Sequence, residues 1–161
     1  MADFMALYPD VRVNLDFSSH RVDLIEDEFD IAFRMGNLED AGFVARPLMD
    51  IEIVTLASPA YIQRSGSPDH PRDLIQHRCL TGSVRRWSFQ SVQNPEQQQD
   101  ITIDGYLESK NGQPLVAGAL AGNGIIRVPL MYCQQAVTEG LLVRLLSDWK
   151  VRWSNRCNQS S

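Results

Sequence analysis

Three histidines (His20, His70, His77) and three cysteines (Cys79, Cys133, Cys157) are the side chains best suited to acid–base, nucleophilic or metal chemistry in this chain of 161 residues. Their spacing assembles none of it. No Cys-x-x-Cys or His-Glu-x-x-His pattern occurs, so neither a zinc knuckle nor a metallohydrolase helix is encoded. The sequence lacks the Gly-x-Ser-x-Gly of a nucleophile elbow and the glycine-lysine loop that cradles phosphate. Gly122-Asn123-Gly124-Ile125-Ile126-Arg127 lacks the third glycine of a dinucleotide fingerprint. It also follows a predicted helix and precedes a predicted strand, whereas a pyrophosphate needs the N-terminus of a following helix. That stretch reads as a helix-to-strand turn. Glu26, Asp27 and Glu28 read as a solvent face and Asp30 as the start of a strand. The chain is expected to have no catalytic residue, no metal and no cofactor.

The elements that could position a binding site are more legible. Phe4, Leu7 and Tyr8 have helical spacing up to Pro9, and Val11, Val13, Leu15 and Phe17 alternate as a strand with one buried face. A helical turn at 22–27 and a short buried strand from Phe29 to Arg34 follow, then extended segments from Phe43 to Leu48 and Ile51 to Ala57. Two short helices occupy 60–75, and Cys79-Leu80 and Trp87-Ser88-Phe89 read as strands, with Trp87 and Phe89 in the core. Gln90 to Asp100 is a polar hairpin loop, after which Ile101, Ile103 and Gly105 resume alternation. Leu115 to Ala121 forms a helix with Pro114 in its first turn and Gly122 near its C-cap. A buried strand from Ile125 to Val128, a helix from Leu130 to Val137 and an extended stretch from Leu141 to Leu146 complete the pattern, which dissolves after Trp149.

The net charge of −5 argues against non-specific binding of nucleic acid through phosphates. Residues 1–50 hold eleven acids against four bases, and the basic residues from 144 onward make a short solvated end. An odd, dispersed cysteine set fits a reducing interior, and the acidic, non-cationic start carries no secretory pattern. No apolar stretch reaches the ~18 residues that cross a bilayer. A cytoplasmic location without a membrane partner is expected.

Ordered along the chain are Phe4-Met5-Ala6-Leu7-Tyr8-Pro9-Asp10-Val11, Val22-Asp23-Leu24-Ile25, Phe29-Asp30-Ile31-Ala32-Phe33-Arg34-Met35-Gly36, Ala57-Ser58-Pro59-Ala60-Tyr61, Pro71-Arg72-Asp73-Leu74, His77-Arg78-Cys79-Leu80, Trp87-Ser88-Phe89 and Ala121-Gly122-Asn123-Gly124-Ile125. In this order and spacing, over about residues 4–149, the chain resembles the effector-binding domain of LysR-type transcriptional regulators. The resemblance implies an α/β fold like the type II periplasmic solute-binding proteins, with two lobes and an effector cleft between them. It implies an effector-sensing domain of a homo-oligomeric regulator that reaches promoter DNA only through a winged helix-turn-helix. Residues 1–57 match part of the first lobe and 58–149 the second, with 150–161 a polar tail where the family returns to the first lobe. Against the family pattern no helix-turn-helix is expected within the chain, and without the family's opening strand and return segment the first lobe is expected to be incomplete and less stable than the second. A stand-alone solute-binding protein of the same fold is the alternative.

Open α/β sheets bind ligands in the loops after their strands, where amides and helix N-termini converge. Met35 and Gly36 follow one strand, Ser58 ends the crossing strand, and Ser109 and Asn111 precede the helix at 114, whose N-terminus favours an anion. These loops and Gly124 match the positions that line the family's cleft. Met35, Gly36, Ser58, Ser109, Asn111 and Gly124 are therefore the expected effector contacts, with a carboxylate or similar small polar molecule as ligand. Each has a plainer reading beside this one: Ser58 as a helix cap, Asn111 as a turn residue, Gly36 and Gly124 as turn glycines. Arg34 reads as a structural ion pair.

Overall fold

The computed structural model describes residues 2–15, 30–33 and 46–152. The expected helical turn at 22–27, Arg34, Met35, Gly36, His20 and Cys157 lie outside the described residues. The chain divides into two units, Met1–Arg34 and Met35–Ser161.

In the first unit, helix α1 (Ala2–Leu7) is continued by a turn in which the Tyr8 amide donates to the Phe4 carbonyl at 2.9 Å. Pro9 then stops it. The strand expected from Val11 is not found over its described part: residues 11–15 belong to no strand, and Val11 and Leu15 are exposed. The same correction applies to Phe29–Arg34, whose described residues 30–33 are irregular, with Ile31 and Phe33 each 72% exposed. Alternation predicts which face a strand would bury. It becomes a strand only where another edge accepts its amides and carbonyls, and none does so here among the described residues.

The described part of the second unit begins with irregular residues 46–52 and is built on a five-stranded sheet in the order β5-β2-β6-β1-β7. Its strands are β1 (Ile53–Ala57), β2 (Cys79–Thr81), β5 (Gly105–Glu108), β6 (Ile125–Pro129) and β7 (Val143–Arg144). β2 runs parallel to β5 and β6, while β1 lies antiparallel between β6 and β7. Side-chain alternation sorts these strands onto two faces. Val54, Leu56, Leu80, Ile126 and Val128 pack under helix α3 (Gly112–Leu120) with Leu115, Val116 and Ala119. Ala57, Cys79 and Ile125 face the other way, toward a second sheet of β3 (Arg86–Ser91), β4 (Gln98–Thr102) and β8 (Trp149–Val151), ordered β4-β3-β8. Trp87 and Phe89 fill that second core, as expected. It also holds Tyr61 of helix α2 (Pro59–Ser65) and Leu74 of the 3-10 helix Pro71–Gln76.

Five expectations need adjusting. The polar loop expected from Gln90 to Asp100 shrinks to residues 92–97, because Gln90 and Ser91 pair in β3 and Gln98 to Asp100 in β4. Leu130–Val137 is not one helix: a 3-10 turn at Leu130–Tyr132 and helix α4 (Gln134–Thr138) meet at Cys133. Cys133 takes φ −143° and buries its side chain under α3, a backbone angle no α-helix accommodates. Leu141–Leu146 keeps only the two residues of β7, because Leu145 and Leu146 both turn into the core and Leu146 adopts φ +56°. Ile101 to Gly105 is not one strand but the end of β4 and the start of β5, in different sheets. Order also does not end at Trp149, since β8 pairs with β3.

Candidate functional site

Where β2 and β5 end side by side, Thr81 lies beside Glu108, and the Ser109 amide donates to the Thr81 carbonyl at 3.0 Å. β6 runs in the same direction and also ends there, at Pro129, beside the start of β1 at Ile53. The next residues form a compact turn into α3. Ser109 Oγ donates to the Asn111 carbonyl at 2.8 Å and accepts from the Asn111 amide at 3.2 Å. Asn111 Oδ1 caps α3 by accepting from the Gln113 amide at 3.0 Å. Pro114 has no amide hydrogen, so the first turn of α3 keeps one open backbone donor, Gly112 N–H. A side chain at Gly112 would meet the Tyr132 ring at 2.6 Å, so glycine lets that ring close over the turn. Gly112 N–H, the Asn111 Nδ2 group, the exposed Lys110 and the Tyr132 ring therefore gather at one end of the sheet. The charge and donors there suit an anionic oxygen.

The other expected contacts among the described residues, Ser58 and Gly124, lie at the opposite end. Ser58 is the N-cap of α2, its Oγ accepts from the Tyr61 amide at 3.3 Å, and the residue is 3% exposed. Gly124 precedes β6, and a Cβ there would collide with the Arg78 carbonyl oxygen, while the Ile125 amide donates to the same carbonyl at 2.8 Å. Four strand steps, about 13 Å, separate this end from the Ser109 end. Ser109 and Asn111 are thus brought together, and Ser58 and Gly124 are grouped apart from them.

The turn at Gly122 is the helix-to-strand connection expected. Gly122 has φ +78°, its amide bonds to the Ala119 carbonyl, and the Asn123 amide bonds to the Gly118 carbonyl at 3.0 Å, the paired closure of a Schellman motif. Both described histidines lie in connecting segments, as expected, yet each has a partner. His70 Nδ1 accepts from the Arg72 amide at 3.1 Å, and the His70 ring meets Trp149 edge-on. His77 Nδ1 lies 3.1 Å from the hydroxyl of the buried Tyr61, which also accepts from the Arg78 amide. Among the described residues no group of three His, Cys, Asp or Glu side chains could hold a metal. Nor is any helix there long and apolar enough to cross a membrane.

Two features escaped the sequence. A surface groove of about 450 Å3 runs beside α3, lined by Val116, Leu120, Tyr132, Cys133, Gln134 and Glu139. The second feature is Arg127 of β6, whose guanidinium lies 5.0 Å over the Trp87 ring. An arginine inside a run of apolar strand residues is the signal that could have drawn attention to it.

An α/β unit of this topology, with polar groups collected where its parallel strands end, is the architecture of a small-molecule sensing domain. Residues 1–156 match the family described as the LysR substrate binding domain, and the chain belongs to it. It is 33% identical over 152 residues to the HTH-type transcriptional regulator CrgA of Neisseria meningitidis, covering 91% of this chain and 49% of that protein. The full-length structure of the virulence activator AphB of Vibrio cholerae superposes with a TM-score of 0.83 at 27% identity, over 94% of this chain and 51% of that one. The CrgA regulatory domain gives a TM-score of 0.71 at 32% identity, over 96% and 74%. The chain spans about half the length of the curated relatives it matches, and those relatives are named as transcriptional regulators, not enzymes. The type II solute-binding fold expected from the sequence is the fold of these regulatory domains.

Proposed function

We propose that this chain senses a small anionic effector for a LysR-type regulator and passes its occupancy to a DNA-binding domain outside the chain. Family membership over residues 1–156 supports the regulatory role, and the Ser109–Gly112 turn is the observation that carries the effector class. The Gly112 amide and the Lys110 charge favour an oxyanion, and the cap and hydroxyl bonds of Asn111 and Ser109 hold the turn ready for it. Met35 and Gly36 remain part of the proposed lining. Control follows from differential affinity: an effector that binds one arrangement of the regulator more tightly shifts the population toward it. The reading includes a homo-oligomeric regulator, promoter DNA reached only through a helix-turn-helix domain, and the cytoplasm as compartment, in keeping with relatives named as transcriptional regulators.

A thermal-shift screen of the chain against small carboxylates and phosphorylated metabolites tests this reading. A true effector at a hundredfold its dissociation constant should add about 2.7 kcal/mol to stability. Replacing Ser109 and Asn111 together by alanine should remove most of that shift. Absence of any stabilising anion, or a full shift in the double variant, would overturn the assignment.

A further inference from the structure

The 3-10 helix Pro71–Gln76 is closed at both ends by a histidine, His70 as N-cap and His77 as C-cap, and the effector reading uses neither. At the first end His70 Nδ1 accepts from the Arg72 amide at 3.1 Å. A backbone amide can only donate, so Nδ1 keeps its lone pair and the ring is neutral, with its proton on Nε2. The same ring stands edge-on to Trp149 of β8, with centroids 4.8 Å apart, so one imidazole joins the start of the helix to the last strand. The second end differs in kind. His77 Nδ1 lies 3.1 Å from the Tyr61 hydroxyl, which also accepts from the Arg78 amide. A hydroxyl can turn from donor to acceptor, so a charged His77 keeps its partner, whereas a charged His70 loses the one it has.

We propose that His70 is a proton-operated latch between the 3-10 helix and β8. When Nδ1 takes a proton, its new N–H faces the Arg72 N–H, the cap bond breaks, and the ring needs an acceptor. Carboxylates stand on its own turn: Asp73 Oδ2 already takes the amides of His70 and Asp69 at 2.8 and 3.2 Å, and Asp69 adjoins His70 in the chain. Turning toward them draws the ring away from Trp149. Arg72 carries the opposing charge of the turn, and its Nε is held by Gln99 of β4 at 2.9 Å. On β8 the exposed residues flanking Trp149 are Asp148 and Lys150, opposite in sign. The latch thus exchanges a neutral state, capped and docked on Trp149, for a charged state paired with carboxylate. It opens as pH falls through the interval of about 5–8 in which histidine changes charge, and it requires nothing of the effector reading.

The experiment is a 1H–15N NMR titration of the full chain from about pH 8 to 5 at constant ionic strength, following the Arg72 amide and the Trp149 indole, the latter assigned by its loss in W149F. Both signals are expected to move along one single-proton curve, with the Arg72 proton shifting upfield as its bond is lost. H70N and H70S supply caps that do not titrate, so each should hold both signals still, while H77N should leave the wild-type curve in place. A stationary Arg72 amide or Trp149 indole in the wild type would overturn the latch. So would separate midpoints for the two signals, the wild-type curve persisting in H70N or H70S, or its loss in H77N.

Discussion

Ser58 and Gly124 show how far residue type alone can carry a site. A serine before a proline and a glycine before a strand suit a ligand loop as well as they suit a cap and a close backbone contact, and only the fold decides which atoms they meet. Ser58 Oγ is committed to the Tyr61 amide, so Ser58→Ala should cost about 1 kcal/mol in urea unfolding, as lost N-caps do, and leave anion binding unchanged. A Cβ at Gly124 would strike a backbone carbonyl that cannot swing aside. Gly124→Ala should therefore destabilise by about 1–3 kcal/mol, the usual cost of overpacking, and broaden the β6 amide signals in an NMR spectrum. Asn111 was readable as a turn residue ahead of a helix, though not as the cap that the helix start at Gly112 makes it. Arg127 was not readable, because its meaning comes from Trp87, forty residues away in the chain and in another sheet. Cys79 is a buried thiol pushed up to about 12 by desolvation, so alkylation at pH 8 should leave it unlabelled in the folded protein and modify it only after denaturation.

Among the elements, those whose boundaries depend on local chemistry match the pattern in the sequence. β1 ends just before Ser58-Pro59, α2 has Pro59 at its start and Gly66 as its C-cap, and α3 carries Pro114 in its first turn and stops before Gly122, residues whose backbone preferences act without tertiary help. Elements set by tertiary contact are the ones misread: Cys133 breaks a helix to reach a core, and β8 exists only because β3 has an open edge. Ile126 sits in the middle strand of the five, fully buried under α3. Ile126→Ala should cost about 2–5 kcal/mol, measured by chemical denaturation, through lost burial and the cavity it leaves. The outer face of the β3–β4 pair instead carries a titratable link. The Ser88 hydroxyl and the Arg86 guanidinium hold the Asp100 carboxyl below its ordinary range, and the Arg144 guanidinium does the same for Glu52. A carboxyl depressed in the folded state stabilises above its unfolded value, near pH 4, and that contribution is lost as pH falls through the folded value. D100N and E52Q should thus each flatten the decline in urea midpoint below about pH 4. Curves parallel to the wild type would contradict this.

At the scale of the whole molecule, the family was legible because its signal is the order of many weak segments over most of the chain. The proposed site was legible only in part: Ser109 and Asn111 share the turn ahead of a helix, while Met35 and Gly36 lie outside the described residues. The strand order also fixes a sequence of events during synthesis. β1 ends at Ala57, yet its neighbours on both sides are β6 and β7, which begin at Ile125 and Val143. At about 5–20 residues per second, β1 waits several seconds on the ribosome with both edges bare and Val54 and Leu56 uncovered. This inner strand is among the last to gain its partners, so the nascent chain has a long interval in which a chaperone, or another unfinished copy, can reach β1 before its own C-terminal half does.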